Sequence, residues 1–274
     1  MLRTSTTIAS YLALAIAILF FAGPLLWLVL ASFKSPEELK ADPYALFPRE
    51  WRWENYRDAV AAMPLARYLA NTLVLCVGSV AGTILSCSLA AYAFARLRWP
   101  GRDWAFGIVI ATLLLPWHVT VIPKFLLLRE AGLYNTPWAI IAPTFLGNAF
   151  YIFLLRQYFL AVPEELCEAG RLDGLSEWGV YSQIVMPLNL PALVTVGLFQ
   201  FVATWNDFQN PLLLLSDPET FPLAYGLEQF LSAYSDQTHL LLAAAVLFSI
   251  PVLGLFLITQ QAFVEGANTD GLKG

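Results

Sequence analysis

The residues best placed to do chemistry lie in the polar stretch from Pro163 to Pro187. Pro163 followed by Glu164 and Glu165 reads as a helix start, and Gly174 as its stop. Leu166, Ala169 and Gly170 then share one face at i, i+3 and i+4, so this short helix has a small-residue face suited to docking. Ser176 is placed to cap a second short helix, with Val180 and Ile184 on one face, until Pro187 and Pro191 interrupt the backbone. An interfacial helix lying on lipid is the alternative, but the segment holds more acid than base and an anionic leaflet would attract it poorly. A protein partner is therefore favoured.

A second group is Trp205, Asn206 and Asp207. Asp207 is the one carboxylate expected within a span, and ionisable groups there face a cavity or a partner because burial in lipid is costly. Asp207 and Asn206 could line a solute path with Trp205 as a stacking face. Equally, Asp207 could make an interhelical hydrogen bond while Trp205 packs. Lys124 is expected to snorkel outward from the end of its helix, and His118 to pack between helices. No catalytic residues are expected, because no nucleophile–base pair is visible and two distant histidines cannot supply one. No metal site is expected either. Cys76 and Cys87 stand eleven residues apart on one helix, beyond disulfide reach, and Cys167 stands alone, so all three read as small buried fillers.

The elements that must carry these groups follow from composition. The chain has 274 residues, 58% hydrophobic and only 13% charged, against roughly 25% charged in a soluble domain. A span takes about 20 apolar residues, so about six fit, with no room for a separate soluble domain. The net charge of −5 with scattered Lys and Arg argues against nucleic acid. Helix 1 is expected at 8–31, too long for a cleaved signal. Helix 2 spans 68–94, helix 3 104–128 with kinks at Pro116 and Pro123, helix 4 138–160, helix 5 190–215 and helix 6 240–263. On helix 2, Gly78, Gly82, Ser86 and Ala90 recur every four residues, a small face that lets another backbone approach. Orientation is split. Lys34, Lys40, Arg49, Arg52, Arg57 and Arg67 crowd the first loop, while Arg96, Arg98, Arg102, Arg156 and Arg171 vote for the opposite side.

The spacing of Glu168, Ala169, Gly170, Gly174, Ile184 and Pro187 resembles the loop of inner-membrane permeases of binding-protein-dependent ABC importers: E-A-A, three residues, Gly, nine residues, I-x-L-P. Gly170 stands for the second Ala and Met186 for the Leu. The likeness runs along nearly the whole chain and is nearest to the smaller permease of maltose-type carbohydrate importers, through Ser32-Phe-Lys-Ser, Trp53-Glu-Asn-Tyr, Ala90-Ala-Tyr-Ala, Arg96-Leu-Arg-Trp-Pro-Gly, Trp205-Asn-Asp-Phe and the ending Gly266 to Gly274.

This resemblance implies an all-α integral membrane protein with the six-helix type I ABC importer permease fold, one transmembrane permease domain over 1–274, in the inner (cytoplasmic) membrane with both termini cytoplasmic. It implies translocation of a sugar or sugar-like solute. The implied partners are a second permease in a heterodimer, two ATPase subunits and an extracytoplasmic solute-binding protein, besides membrane lipid. The loop at 163–187 becomes a coupling element seated on an ATPase, with Glu168, Ala169, Gly170, Asp173, Gly174, Ile184 and Pro187 as its residues. The tail from Asn268 to Gly274 is a second expected contact. ATP and Mg would sit on the ATPases, with no cofactor in this chain, and no G-x-x-x-x-G-K-[ST] phosphate loop is present. A secondary transporter would call for mid-membrane ion-coupling carboxylates or an internal repeat, and neither is seen.

Overall fold

The computed structural model describes residues 2–233 and 237–270. Among them there is no strand. The first stretch holds α1 (Leu2–Ala31), α2 (Pro36–Ala41), α3 (Glu54–Ala62) and α4 (Leu65–Ala95). Next come α5 (Arg102–Ala111), α6 (Trp117–Glu130), α7 (Trp138–Ile141) and α8 (Ala149–Ala161). The loop region contributes α9 (Glu164–Leu172), α10 (Glu177–Gly179) and α11 (Met186–Leu188), followed by α12 (Leu190–Trp205), α13 (Gln209–Leu214), α14 (Leu223–Ala233) and α15 (Thr238–Asp270).

Among the described residues, three stretches are long and apolar enough to cross a bilayer unbroken: Ser10–Ala31, Leu65–Ala95 and Thr238–Gln260. Three more spans exist only as bent pairs. The α5–α6 pair bends by 104°, the pair ending in α8 by 42°, and the pair joining Glu177–Leu188 to α12 by 79°. Six spans result when each pair counts as one. The expected kink at Pro116 is thus a break: a 3-10 turn (Thr112–Leu114) precedes it, Pro116 is extended, and α6 restarts at Trp117. Proline lacks the N–H and its ring clashes with the carbonyl four residues back. In the expected fourth span the break falls at Gly147, whose φ of 88° suits only a residue without Cβ. Asn148 then restarts the chain, its side chain accepting from the Phe150 and Tyr151 amides. The expected fifth span stops at Trp205 rather than Leu215, so Asp207 lies in a break between α12 and α13.

The chain divides into two compact units. One comprises residues up to Leu65 with Gly226–Pro251. There Lys34 is fully buried and donates to the Asp42 and Ala45 carbonyls. The Asn55 side chain donates to the Ser32 and Lys34 carbonyls at 2.8 and 2.9 Å. Phe33 packs on the rings of Trp51, Trp53 and Tyr56. The Ser32-Phe-Lys-Ser and Trp53-Glu-Asn-Tyr motifs therefore meet as one knot in which these buried polar groups are matched. Apolar α1 faces outward, Phe20 and Phe21 being more than 70% exposed, as lipid contact requires.

The other unit comprises Ala66–Tyr225 and the chain from Val252. Its core joins Cys87, Ala91, Leu155, Phe159, Val180 and Val196, from α4, α8, the loop and α12. The small face of α4 permits the approach: a Cβ on Gly78 would lie 2.7 Å from Ile141, and one on Gly82 would collide with Thr144 and Phe145. The Ser86 hydroxyl donates to the Thr144 carbonyl at 2.9 Å. All three cysteines are free and buried.

Candidate functional site

The Pro163–Pro187 loop folds as two short helical pieces locked together. α9 ends in a Schellman motif: the Leu175 amide donates to the Gly170 carbonyl at 2.9 Å and the Gly174 amide to the Arg171 carbonyl at 3.1 Å. Gly174 takes a φ of 91°, the left-handed conformation that disfavours any residue with a Cβ. Ser176 then caps α10, its hydroxyl accepting from the Gly179 amide. Val180–Val185 is π-helical. Pro187 accounts for the widening, since it has no N–H to offer an α-helical bond to the preceding turn.

The two pieces are pinned to each other and to α4. Arg171 donates to Glu177 at 2.8 Å and to Glu164 at 3.1 Å. Arg96, its side chain 5% exposed, pairs with Glu164 and donates to the carbonyls of Phe159 and Val162 at the end of α8, where helix carbonyls lack partners. The Tyr92 hydroxyl donates to Glu177 at 2.6 Å, and Tyr181 shares a 2.8 Å hydrogen bond with Ser88. Burial would push the Glu164 carboxyl up, but hydrogen bonds from Arg171 and Arg96 win and hold it below its ordinary range. Individually the partly exposed Arg171 pairs are worth roughly 0–1 kcal/mol, yet chained with the buried Arg96 they make the corner of α8, α9 and α10 one rigid piece.

This geometry re-sorts the expected docking face. Gly170 is buried, not exposed: a Cβ there would come within 2.5 Å of the Ile184 side chain and 3.3 Å of Leu175. Its role is to let the two pieces close, and Ile184 is the residue that closes on it. The outward face consists of Glu165, Glu168, Ala169, Leu172 and Asp173, all exposed. Leu172 is 89% exposed and Trp178 62%. Gly174 and Pro187 are exposed at the ends of this surface. The tail from Asn268 reaches Asp270 within α15, and its remainder, 271–274, lies outside the described residues.

A second site is a cavity of about 480 Å³ in the same unit, walled by Ser79 and Thr83 of α4, Lys124 of α6, Asn148 at the α8 start, and Asn206 and Asp207 at the α12–α13 break. Broken helices commonly surround transporter sites, because freed backbone groups are tolerable only where they line a cavity or are covered by protein. Asp207 accepts from the Asn210 amide at 3.0 Å and from its side chain at 2.7 Å. Lys124 donates to the Asn210 side-chain oxygen at 3.0 Å. Lys124 therefore turns into the cavity instead of snorkelling outward, since Asn210 offers its ammonium a partner there. Trp205 is fully buried, stacked on Phe201 at 5.5 Å, and does not line the cavity. Asn206 donates back to the Val202 carbonyl. His118 is exposed beside Trp117 rather than packed between helices. Sequence reasoning misses Lys124 and Asn210 as cavity residues, the only signal for Asn210 being its spacing of three from Asp207. Among the described residues no group of His, Cys, Asp and Glu could hold a metal ion.

Residues 78–268 match the family described as "Binding-protein-dependent transport system inner membrane component". The chain is 31% identical to the arabinooligosaccharides transport system permease protein AraQ of Halalkalibacterium halodurans, covering 99% of both chains. It is 32% identical to the sulfoquinovosyl glycerol transport system permease protein SmoH of Agrobacterium fabrum, over 95% of this chain and 93% of that one. It is 31% identical to the diacetylchitobiose uptake system permease protein NgcG of Streptomyces coelicolor, over 90% and 82%. Among solved structures, a chain of a bacterial ABC transporter importing the acidic polysaccharide alginate superposes with a TM-score of 0.79 at 25% identity, covering 94% of this chain and 96% of that one. A chain of an alginate transporter in complex with a pentasaccharide-bound periplasmic protein superposes with a TM-score of 0.69 at 16% identity, over 94% and 93%, a likeness of fold alone.

Proposed function

The chain belongs to the family of binding-protein-dependent transport system inner membrane components, and from that premise we propose that it carries a sugar or sugar-like solute inward, driven by ATP hydrolysis on separate subunits that grip its α9–α11 loop. The observation that carries the proposal is the loop itself: two helical pieces welded at Gly170–Ile184 and by Arg171, exposing Glu168, Ala169 and Leu172. A rigid, outward-facing element fixed to α4 and α8 moves as one body with the helices around the cavity. ATP-driven closure of two ATPase subunits would thus shift the cavity walls directly. ATP and Mg belong to those subunits, in keeping with the missing phosphate loop, and no cofactor is assigned to this chain.

The sugar class is supported by the relatives, whose names specify oligosaccharide and sugar-glycerol solutes. A second permease would complete the pore, and a binding protein would deliver solute from outside. In this reading the loop and both termini face the cytoplasm, with 34–67 and 216–237 outside. Asp173, at the end of α9, would sit at the edge of the ATPase groove.

The test is co-purification of the assembled transporter, followed by ATP hydrolysis with and without its loaded binding protein. Glu168→Lys should replace a charge-assisted contact worth about 1.5–3 kcal/mol by repulsion. Gly174→Val should strain the left-handed turn by about 1–2 kcal/mol. Both should insert normally yet lose ATPase recovery and stimulated hydrolysis. Wild-type recovery and stimulation in both would rule out the loop as the coupling element.

A further inference from the structure

We propose that the cavity beside α4 binds an uncharged polyhydroxylated ring directly, with Ser79 as a hydrogen-bonding contact and Lys124, balanced by Asp207, as the specificity-determining one; the proposal rests on the sugar-importer reading above. The Ser79 hydroxyl lines the cavity, is fully buried and has no hydrogen-bond partner among the described residues. A buried hydroxyl without a partner is costly unless something in the cavity supplies one. Thr83, one turn along α4, lines the same wall. Lys124 also lines the cavity and spends one of its three ammonium donors on Asn210.

Charge decides the class of ligand. Among the described lining residues, Lys124 is the one cation and Asp207 the one anion. Asn210 bridges them, accepting from Lys124 and donating to Asp207. The pair is electrically balanced, so a carboxylated sugar gains attraction from Lys124 but meets repulsion from Asp207. A neutral ring meets only donors and acceptors, and its hydroxyls, which both donate and accept, can satisfy Ser79 and Lys124 together. The relation to Asp207 makes the selectivity testable, because neutralising that residue should unmask the cation.

The experiment uses the assembled transporter in nanodiscs without binding protein, so that only the membrane subunits select. Binding of α-1,4-galactotriose and α-1,4-trigalacturonate is measured by saturation-transfer NMR. Wild type should prefer the neutral trisaccharide. Asp207→Asn should shift the affinity ratio about tenfold toward the trigalacturonate, and adding Lys124→Met should reverse the shift. Ser79→Ala should weaken both ligands without changing their ratio, while leaving the melting temperature unchanged or higher, since it deletes an unpartnered hydroxyl rather than a contact. A ratio unmoved by Asp207→Asn, equal binding of both ligands by Ser79→Ala and wild type, or no binding to wild type would each overturn the proposal. If whole-cell sugar uptake persists in those cases, only this inference falls; if uptake of every sugar is absent, the importer reading falls with it.

Discussion

Arg96 shows how much one side chain can hold and how little of that is visible in a sequence. Its position in a basic cluster argues only for a cytoplasmic loop, yet in the fold it closes the end of α8 through two carbonyls and pairs with Glu164 in the first turn of α9. Those partners lie more than sixty residues away, and no local spacing announces them. Gly174 is the opposite case: a glycine closing a short helix that starts with Pro163 and two glutamates is legible as a left-handed stop, and it adopts that conformation. Arg96→Lys should destabilise the purified subunit by about 1.5–3 kcal/mol, because an ammonium donates from a single atom and cannot span acceptors that the guanidinium fork reaches from two separate nitrogens. Thermal melting in detergent reads this, and an unchanged midpoint would show that the fork is dispensable.

Glu164 makes a further prediction in pH. Its carboxyl is held below the ordinary range by Arg171 and Arg96, so it stabilises the fold above its unfolded value of about 4.3. That contribution disappears as pH falls through the depressed folded value. Melting midpoints should therefore drop on acidification below about pH 4, and Glu164→Gln should lower the midpoint at neutral pH and flatten that acid limb. Parallel acid limbs in the variant and wild type would contradict it.

At the scale of elements, the apolar runs mark all six spans, but the three central ones are broken where hydropathy averages see continuity. A window of about 19 residues counts apolar side chains and is blind to a positive φ at Gly147 or to the turn that ends α12 at Trp205. Sequence reasoning for this reason places Asp207 inside a helix, when it caps the turn into α13 through Asn210. Two breaks carry the site, because those at Gly147–Asn148 and Asn206–Phe208 line one cavity. Gly147→Ala should cost about 1–2 kcal/mol from its left-handed φ, and its new Cβ would press on Ile152 at 3.1 Å. Lower melting with reduced uptake is expected, whereas wild-type values for both would mean the break at 147 is not needed.

At the scale of the whole molecule, a cavity among broken helices and a welded loop share one set of supporting helices, which is what coupling to a motor requires. Family and fold are readable from the ordered motifs because each motif does something physical. Ser32 to Ser35 and Trp53 to Tyr56 form a buried polar knot, and Glu168 to Pro187 form the welded loop. What the motifs leave open is which loop residues face out and which face in, since Gly170 and Ile184 meet only after the chain turns at Gly174.

The most direct measurement is made at Leu172, which is 89% exposed on the outer face of α9. Cys76, Cys87 and Cys167 are buried, so a Leu172→Cys thiol reacts against a quiet background. In intact cells carrying the assembled transporter, an impermeant maleimide applied from outside should leave this thiol unlabelled. In inverted vesicles a short bifunctional reagent should link it to an ATPase subunit. Labelling from outside, or inverted vesicles in which Leu172→Cys never joins an ATPase subunit, would contradict the claim that this loop couples the permease to ATP hydrolysis.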